Sequence, residues 1–233
     1  MGTIGGADGP SVVYVASAFS VDTVLWLLLA AVLAYLMGSL DFGIIVSKYL
    51  YHDDIRHHGS GNAGTTNILR TFGKKAAALT VIGDIGKGVL ATVLGRWLLE
   101  QFCHPQFGIY GAYLAAFCAV CGHLWPVWFG FKGGKGVATA AGAILATAPA
   151  VFLGLAVVFF GVVLTTRIVS LSSISAAVAY PVLTALWCLF KGSGVMFPTC
   201  CAIVMAALVI WMHRTNIKRL RNGTEYKFGE KKK

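Results

Sequence analysis

Charge is scarce in this sequence. Only 12% of its 233 residues are charged and nine are acidic, while 57% are hydrophobic. Soluble domains carry about 25% charged residues. The balance excludes a water-soluble protein with one buried core, because apolar runs of membrane-spanning length recur along nearly the whole chain. Cysteine occurs six times, at Cys103, Cys118, Cys121, Cys188, Cys200 and Cys201, mostly inside apolar runs. These positions have neither zinc-ligand spacing nor the pattern of a secreted disulfide framework. They read as small apolar fillers, and no metal or other cofactor is expected. The first 20 residues lack a basic leading region, which argues against a cleaved signal peptide and leaves their role unread. No internal repeat is visible, which counts against a transporter built from two related halves, the alternative class for a chain of this kind.

What is present are runs that suit helices in a hydrocarbon core of about 30 Å. Candidate spans run from Asp22 to Leu50, Ala76 to Leu99, Ile109 to Trp128, Leu171 to Phe190 and Phe197 to His213. The stretch from Val137 to Thr166 is too long for one comfortable span and is interrupted by Pro149, so it reads as two short helices folded as a hairpin. The predicted fold is all-α, a polytopic integral membrane protein with seven transmembrane helices. Its formal net charge of +10 resides in short loops and in a tail after Met212, which points to anionic lipid headgroups and phosphorylated substrates rather than nucleic acid. Arg56, Arg70, Lys74, Lys75, Lys132, Lys135, Arg167 and the tail bases fall on one side; Lys191 and Arg96 fall on the other. The positive-inside rule then puts the N-terminus outside and the C-terminus in the cytoplasm. Three parts are expected: an N-terminal segment 1–20, a membrane domain 21–214 and a basic tail 215–233.

Three polar regions carry residues suited to chemistry. The first runs from Asp54 to Arg70 and contains Gly59, Ser60, Gly61, Asn62, Gly64, Thr65, Thr66 and Asn67. Small residues expose backbone N–H groups, hydroxyls and amides add donors, and Arg70 offers a planar fork, so the segment describes a nest for a phosphate, with a flexible turn as the plainer reading. Its two adjacent histidines, His57 and His58, read as surface residues. The second region holds Lys132, Gly133, Gly134, Lys135 and Gly136 and opens a helix at Val137. Glycines allow close approach to a phosphate and the helix start supplies unpaired N–H groups, although a basic loop can also merely anchor topology. It is not a nucleotide-binding Walker A loop, since Phe129 and Gly136 stand where that motif needs glycine and a hydroxyl residue. The third region is split between the Ser170 to Ser173 cluster and His213 with Asn216. The last two lie three apart and share one helix face, where they are suited to orient a hydroxyl or a phosphate. Inside the second span, Asp84 and Lys87 are also three apart and are predicted to pair facing the bundle interior. Asp41 is a second embedded acid, with no partner evident in the sequence. A Gly-x-Ser-x-Gly elbow, an oriented Cys/His pair and a His-x4-Asp motif are all missing, which disfavours a covalent enzyme intermediate.

In order, GSLDFG (38 to 43), DIRxxGSGNAGTTNxxR (54 to 70), GDIGKG (83 to 88), GFKGGKGVAT (130 to 139), SLSSI (170 to 174) and HRTNIKRLxxGTE (213 to 225) resemble the bacterial acyl-phosphate:glycerol-3-phosphate acyltransferases of the PlsY type. The resemblance spans almost everything after the leading segment, and Asp41 stands where the family typically has proline. It implies transfer of a fatty acyl group from acyl phosphate to glycerol 3-phosphate, giving lysophosphatidic acid and inorganic phosphate in the inner membrane of a bacterial cell, with the active site cytoplasmic. Membrane lipids are the surrounding partners. Ser60, Thr66 and Arg70 match the first motif's phosphate-contacting positions, Lys135 with Lys132 the second's, and Ser170 or Ser173, His213 and Asn216 the third's. Glu225 matches a position expected to be structural.

Overall fold

The computed structural model describes residues 20–229. The leading segment, apart from Ser20, and the terminal lysines Lys231 to Lys233 lie outside the described residues.

Ser20 starts the first helix, α1 (Val21–Gly38), by accepting the Thr23 N–H on its hydroxyl at 3.2 Å. The predicted first span is not one continuous helix. It breaks at residues 39–41 and restarts as α2 (Phe42–Tyr51), capped by Asp41, whose carboxylate accepts the Ile44 N–H at 3.2 Å. The break releases the Leu40 carbonyl from the helix ladder, and the Lys87 ammonium takes it up at 2.9 Å. Together the two pieces make one apolar span, Val21–Tyr51. After a polar loop come α3 (Thr65–Phe72), the long α4 (Lys74–Phe102), α5 (Gly108–Leu124), α6 (Val137–Thr147), α7 (Pro149–Thr166), α8 (Val169–Lys191), α9 (Met196–Met212) and α10 (Arg214–Arg221).

The predicted interruption at Pro149 is where α6 ends and α7 begins, with proline at the first helical position of α7. The lengths of the two helices differ from an even hairpin. At 1.5 Å per residue the 11 residues of α6 reach about 16 Å, roughly half of the hydrocarbon core, whereas the 18 residues of α7 reach about 27 Å. By length and composition, the described residues hold five helical spans, or six if α9 and α10, bent by 60° at His213, count as one. The seven predicted from sequence include α6 and α9, whose 11 and 17 residues fall short of a full span when each is taken alone.

The span with the strongest apolar character, α7, is also the least buried within the protein, at 11%. Its Leu164, like Phe190 of α8 and Met196 of α9, is almost fully exposed. Such faces are stable against lipid and costly in water, so the molecule is a multi-pass membrane protein.

Two helix groups organise it. In the first, α4 packs against α1, α5 and α6; in the second, α8 packs between α7 and α9. Glycines set the spacing of the first group. A side chain on Gly88 or Gly142 would overlap the backbone of the opposite helix, at Thr139 and Ile85 respectively, so α4 and α6 touch backbone to backbone. That contact fixes the height at which α6 begins, and with it the loop that carries Lys135.

Candidate active site

The two helix groups enclose a cavity of about 420 Å³. Its mouth is polar, lined by Ser60, Asn62, Thr66, Arg70, Lys135, Ser170, Ser173, His213, Asn216, Arg219 and Glu225, and its depth is apolar, lined by residues such as Ile144, Leu155, Ala177, Tyr180 and Met205. Thr65 and Thr66 open α3, Val137 and Ala138 open α6, Val169 and Ser170 open α8, and Asn216 stands in the first turn of α10. The starts of α3, α6 and α8 therefore lie at one mouth, where the free N–H groups and positive dipole end of a helix favour an anion.

The first loop is held in shape by Asn67. Its Oδ1 accepts the Ser60 N–H at 3.2 Å, and its Nδ2 donates to the carbonyls of His58 at 2.9 Å and Asn62 at 3.0 Å. The amide is thus committed to the loop, and Asn67 shapes the nest from beneath. Gly59 adopts φ +56° directly over this amide, where any Cβ would collide with Asn67. Arg56 ties the loop to the next one. It clamps Asp54 and donates to the Phe129 carbonyl at 2.6 Å, and the Arg56 hydrogen bonds hold the Asp54 carboxyl well below the usual range. His58 pairs with Asp53 at 2.7 Å, half exposed, as a surface residue would.

In the second loop only Lys135 and Gly136 reach the cavity. The Gly133 and Gly134 N–H groups donate to the carbonyls of Leu124 and His123, at 3.2 and 3.1 Å. The glycines are needed because a side chain at Gly134 would overlap the His123 ring. Lys132 is exposed and, like Gly59 and Gly61, does not line the cavity. The structure therefore brings Lys135 to the mouth but leaves those five residues as loop and packing elements.

The Lys135 ammonium donates to Asn216 Oδ1. Asn216 Nδ2 donates to Glu225 at 2.6 Å, and the same carboxylate accepts the Ser170 hydroxyl at 2.8 Å and Arg219 Nε at 2.6 Å. Burial works to raise the Glu225 carboxyl, but these donors outweigh it and hold the group low. Glu225 thus knits α8, α10 and, through Asn216, the second loop. Burial, helped by Arg219 and Arg70, pulls the Lys135 ammonium down to about 8. His213, buried at the bend between α9 and α10, has Nδ1 2.7 Å from the Val209 carbonyl. A carbonyl only accepts, so Nδ1 carries a proton, and in the neutral ring Nε2 keeps the lone pair.

Beneath the second loop lies a buried cluster. Lys87 Nζ is 2.7 Å from Asp84, as the sequence spacing predicted, and 2.9 Å from His123 Nδ1. Asp41, whose partner the sequence left unnamed, lies 3.8 Å from the same nitrogen. Asp41, Asp84 and His123 bring possible metal-ligating atoms within 4.8 Å of one another, but the ammonium already stands among them. Sequence reading missed His123, Arg219 and Tyr226 as cavity residues. Arg219 was within reach, since it follows Asn216 by three on one helix face.

A membrane-embedded cavity with a cationic, donor-rich mouth and an apolar depth defines an integral membrane protein whose site is suited to amphiphiles with anionic heads. Comparison with known proteins makes the class specific. The family model described as glycerol-3-phosphate acyltransferase matches residues 28–223. A glycerol-3-phosphate acyltransferase of Clostridioides difficile is 44% identical over 208 residues, 88% of this chain and 97% of that one. A second, from Neisseria meningitidis serogroup C, is 44% identical over 87% of this chain and 98% of its own. Crystal structures of PlsY (YgiH), an integral membrane glycerol 3-phosphate acyltransferase, are similar in fold. The glycerol 3-phosphate form superposes with a TM-score of 0.76 at 39% identity, over 87% of this chain and 96% of that one, and the lysophosphatidic acid form with 0.73 at 38%, over 87% and 95%. The chain belongs to the glycerol-3-phosphate acyltransferase family and is an acyltransferase.

Proposed function

We propose that this protein moves a fatty acyl group from acyl phosphate to the sn-1 hydroxyl of glycerol 3-phosphate, releasing lysophosphatidic acid and inorganic phosphate for phospholipid biosynthesis. The observation that carries the reading is the continuity of the cavity. One end offers Arg70, Lys135, Arg219 and three helix N-termini to phosphates, and the other offers an apolar slot to a hydrocarbon chain. The PlsY structures, in glycerol 3-phosphate and lysophosphatidic acid forms, support the same acceptor and product here.

Acyl phosphate is a mixed anhydride with a good leaving group, so the enzyme's task is to hold two anionic molecules together and shield their repulsion. The glycerol hydroxyl attacks the acyl carbonyl, a new ester C–O bond forms, and the bond from carbonyl carbon to phosphate oxygen breaks with its electron pair leaving on phosphate. The hydroxyl proton passes to His213 Nε2 or to a substrate phosphate. Ser60, Arg70, Lys135, His213 and Asn216 form the catalytic group in this reading. The backbone of residues 62–66, Gly136, Ser170 and Ser173 complete the phosphate nest, and Asn67, Gly59, Gly61, Lys132, Gly133 and Gly134 support its loops.

The topology proposed with it has seven membrane helices, α6 reaching only part of the way across, with the N-terminus outside and the mouth at the cytoplasmic face of the bacterial inner membrane. Lys135 before α6 and Ser170 after α7 line one mouth, which supports a pair that enters the bilayer and returns. Membrane domain 21–214 and tail 215–233 act as one catalytic unit, since Asn216, Arg219 and Glu225 come from the tail.

Purified protein given labelled glycerol 3-phosphate and palmitoyl phosphate, without added metal, is expected to form labelled lysophosphatidic acid. Product from palmitoyl-CoA alone would overturn the donor, and product from neither donor would overturn the function.

A further inference from the structure

The segment after α10 folds back across the cavity mouth as a short strap. Thr224 N donates to the Arg219 carbonyl at 2.9 Å, Glu225 is held by Ser170, Asn216 and Arg219, and Phe228 N donates to the Arg167 carbonyl at 2.6 Å. Between these anchors the Tyr226 ring meets two cations. Arg70 Cζ lies 4.9 Å from its centroid and Arg219 Cζ lies 5.6 Å from it, and the ring lines the cavity.

The two arginines differ in how they are held. Arg219 is fixed by Glu225. No hydrogen bond or ion pair reaches the Arg70 guanidinium among the described residues, and the residue is exposed, so the ring is its anchor. Two neighbouring guanidiniums repel each other, and an aromatic face attracts each of them. Tyr226 lies beyond residues 28–223, the part that the family model matches.

We propose that Tyr226 is a positioning residue that holds the Arg70 guanidinium beside that of Arg219, so that both meet one substrate phosphate at the mouth. The assignment rests on the acyltransferase reading above. A pair of planar forks set at fixed spacing suits a dianionic phosphate, whereas a mobile Arg70 would have to be ordered by each substrate molecule as it binds. Tyr226 then acts through Arg70 on the binding of that phosphate and touches no reacting atom itself.

The test uses the full chain, as wild type, Tyr226→Phe, Tyr226→Ala and Tyr226→Leu, with Tyr226→Ala repeated in an Arg70→Lys background. Initial rates are measured against glycerol 3-phosphate and palmitoyl phosphate, with thermal unfolding as a fold check. Tyr226→Ala is expected to raise the KM of at least one substrate about tenfold with kcat within about twofold. Tyr226→Leu, which keeps bulk without an aromatic face, is expected to do the same, and Tyr226→Phe to stay within about twofold of wild type. In the Arg70→Lys background the penalty is expected to shrink below about threefold, because an ammonium lacks the stacking plane. Unchanged KM in the leucine and alanine variants, a phenylalanine variant as poor as the alanine one, or an equal penalty in both backgrounds would overturn the proposal. Should wild type make no product, the functional reading fails, and Tyr226 is judged by calorimetric titration with inorganic phosphate. About tenfold weaker binding in Tyr226→Leu then supports the clamp, and equal binding overturns it.

Discussion

Lys135 sits where a cation is needed and where burial makes its charge hard to keep. Its ammonium titrates at about 8, drawn down by burial first and then by Arg219. The charged, phosphate-binding form is therefore present below about pH 8 and is lost as pH rises through that value, so kcat/KM, which reports the free enzyme, is expected to fall about tenfold per unit on the alkaline side. Lys135→Arg keeps its charge throughout and is expected to abolish this limb while lowering the plateau, because a fork replaces a point donor at Asn216. A pH–rate profile in which wild type and Lys135→Arg bend at the same alkaline pH would refute the assignment. At this scale the residue types at the mouth were legible in the sequence: Ser60, Arg70, Lys135, His213, Asn216 and Glu225 all line the cavity. What could not be read was direction. Gly133 and Gly134 spend their N–H groups on α5 carbonyls, and Asn67 spends its amide on its own loop, choices that depend on partners brought near only by folding.

Among the helices, one short motif separates packing from permissiveness. In Gly83-Asp84-Ile85-Gly86-Lys87-Gly88 on α4, a methyl group at Gly88 would overlap the Thr139 carbonyl of α6 and one at Gly83 would overlap the Phe42 ring, whereas one at Gly86 meets nothing within 4 Å. Gly88→Ala is expected to destabilise by about 1–3 kcal/mol, because it pries α4 from α6 and shifts the start of the helix that follows Lys135. Gly86→Ala is expected to be neutral or to stabilise by roughly 0.5–1 kcal/mol through helix propensity. Thermal unfolding in detergent compares the two, and an equal loss in both would mean that the helices do not meet at Gly88. The sequence marked this motif by its Asp84 and Lys87 but could not rank its glycines, since their neighbours lie some 40 to 50 residues away in the chain. The interruption at Pro149 was legible because proline acts locally. The break at residues 39–41 was not, because the Lys87 ammonium that satisfies the freed Leu40 carbonyl comes from a different span.

For the molecule as a whole, the placement of the mouth supports the proposed topology. Loops around residues 60 and 135, the start of α8 and the segment after α9 converge on one cavity, and in the proposed topology they share one side of the bilayer while the α8–α9 turn near Gly194 takes the other. Bases are dense on the first side, which the positive-inside rule assigns to the cytoplasm. Exposed positions outside the site report on this without disturbing chemistry: Lys132→Cys and Arg221→Cys on the mouth side, and Gly194→Cys on the opposite side, in a background where the six native cysteines are replaced by alanine or serine. In intact cells stripped of outer barriers, a membrane-impermeant thiol reagent is expected to label Gly194→Cys alone, and in inverted vesicles to label the other two. Because α6 covers only about half the bilayer, the shared mouth depends on the α6–α7 pair returning to its starting side. Were Lys132→Cys and Arg221→Cys labelled from opposite sides, that return would be absent, and the phosphate groups of donor and acceptor would have no common mouth to share.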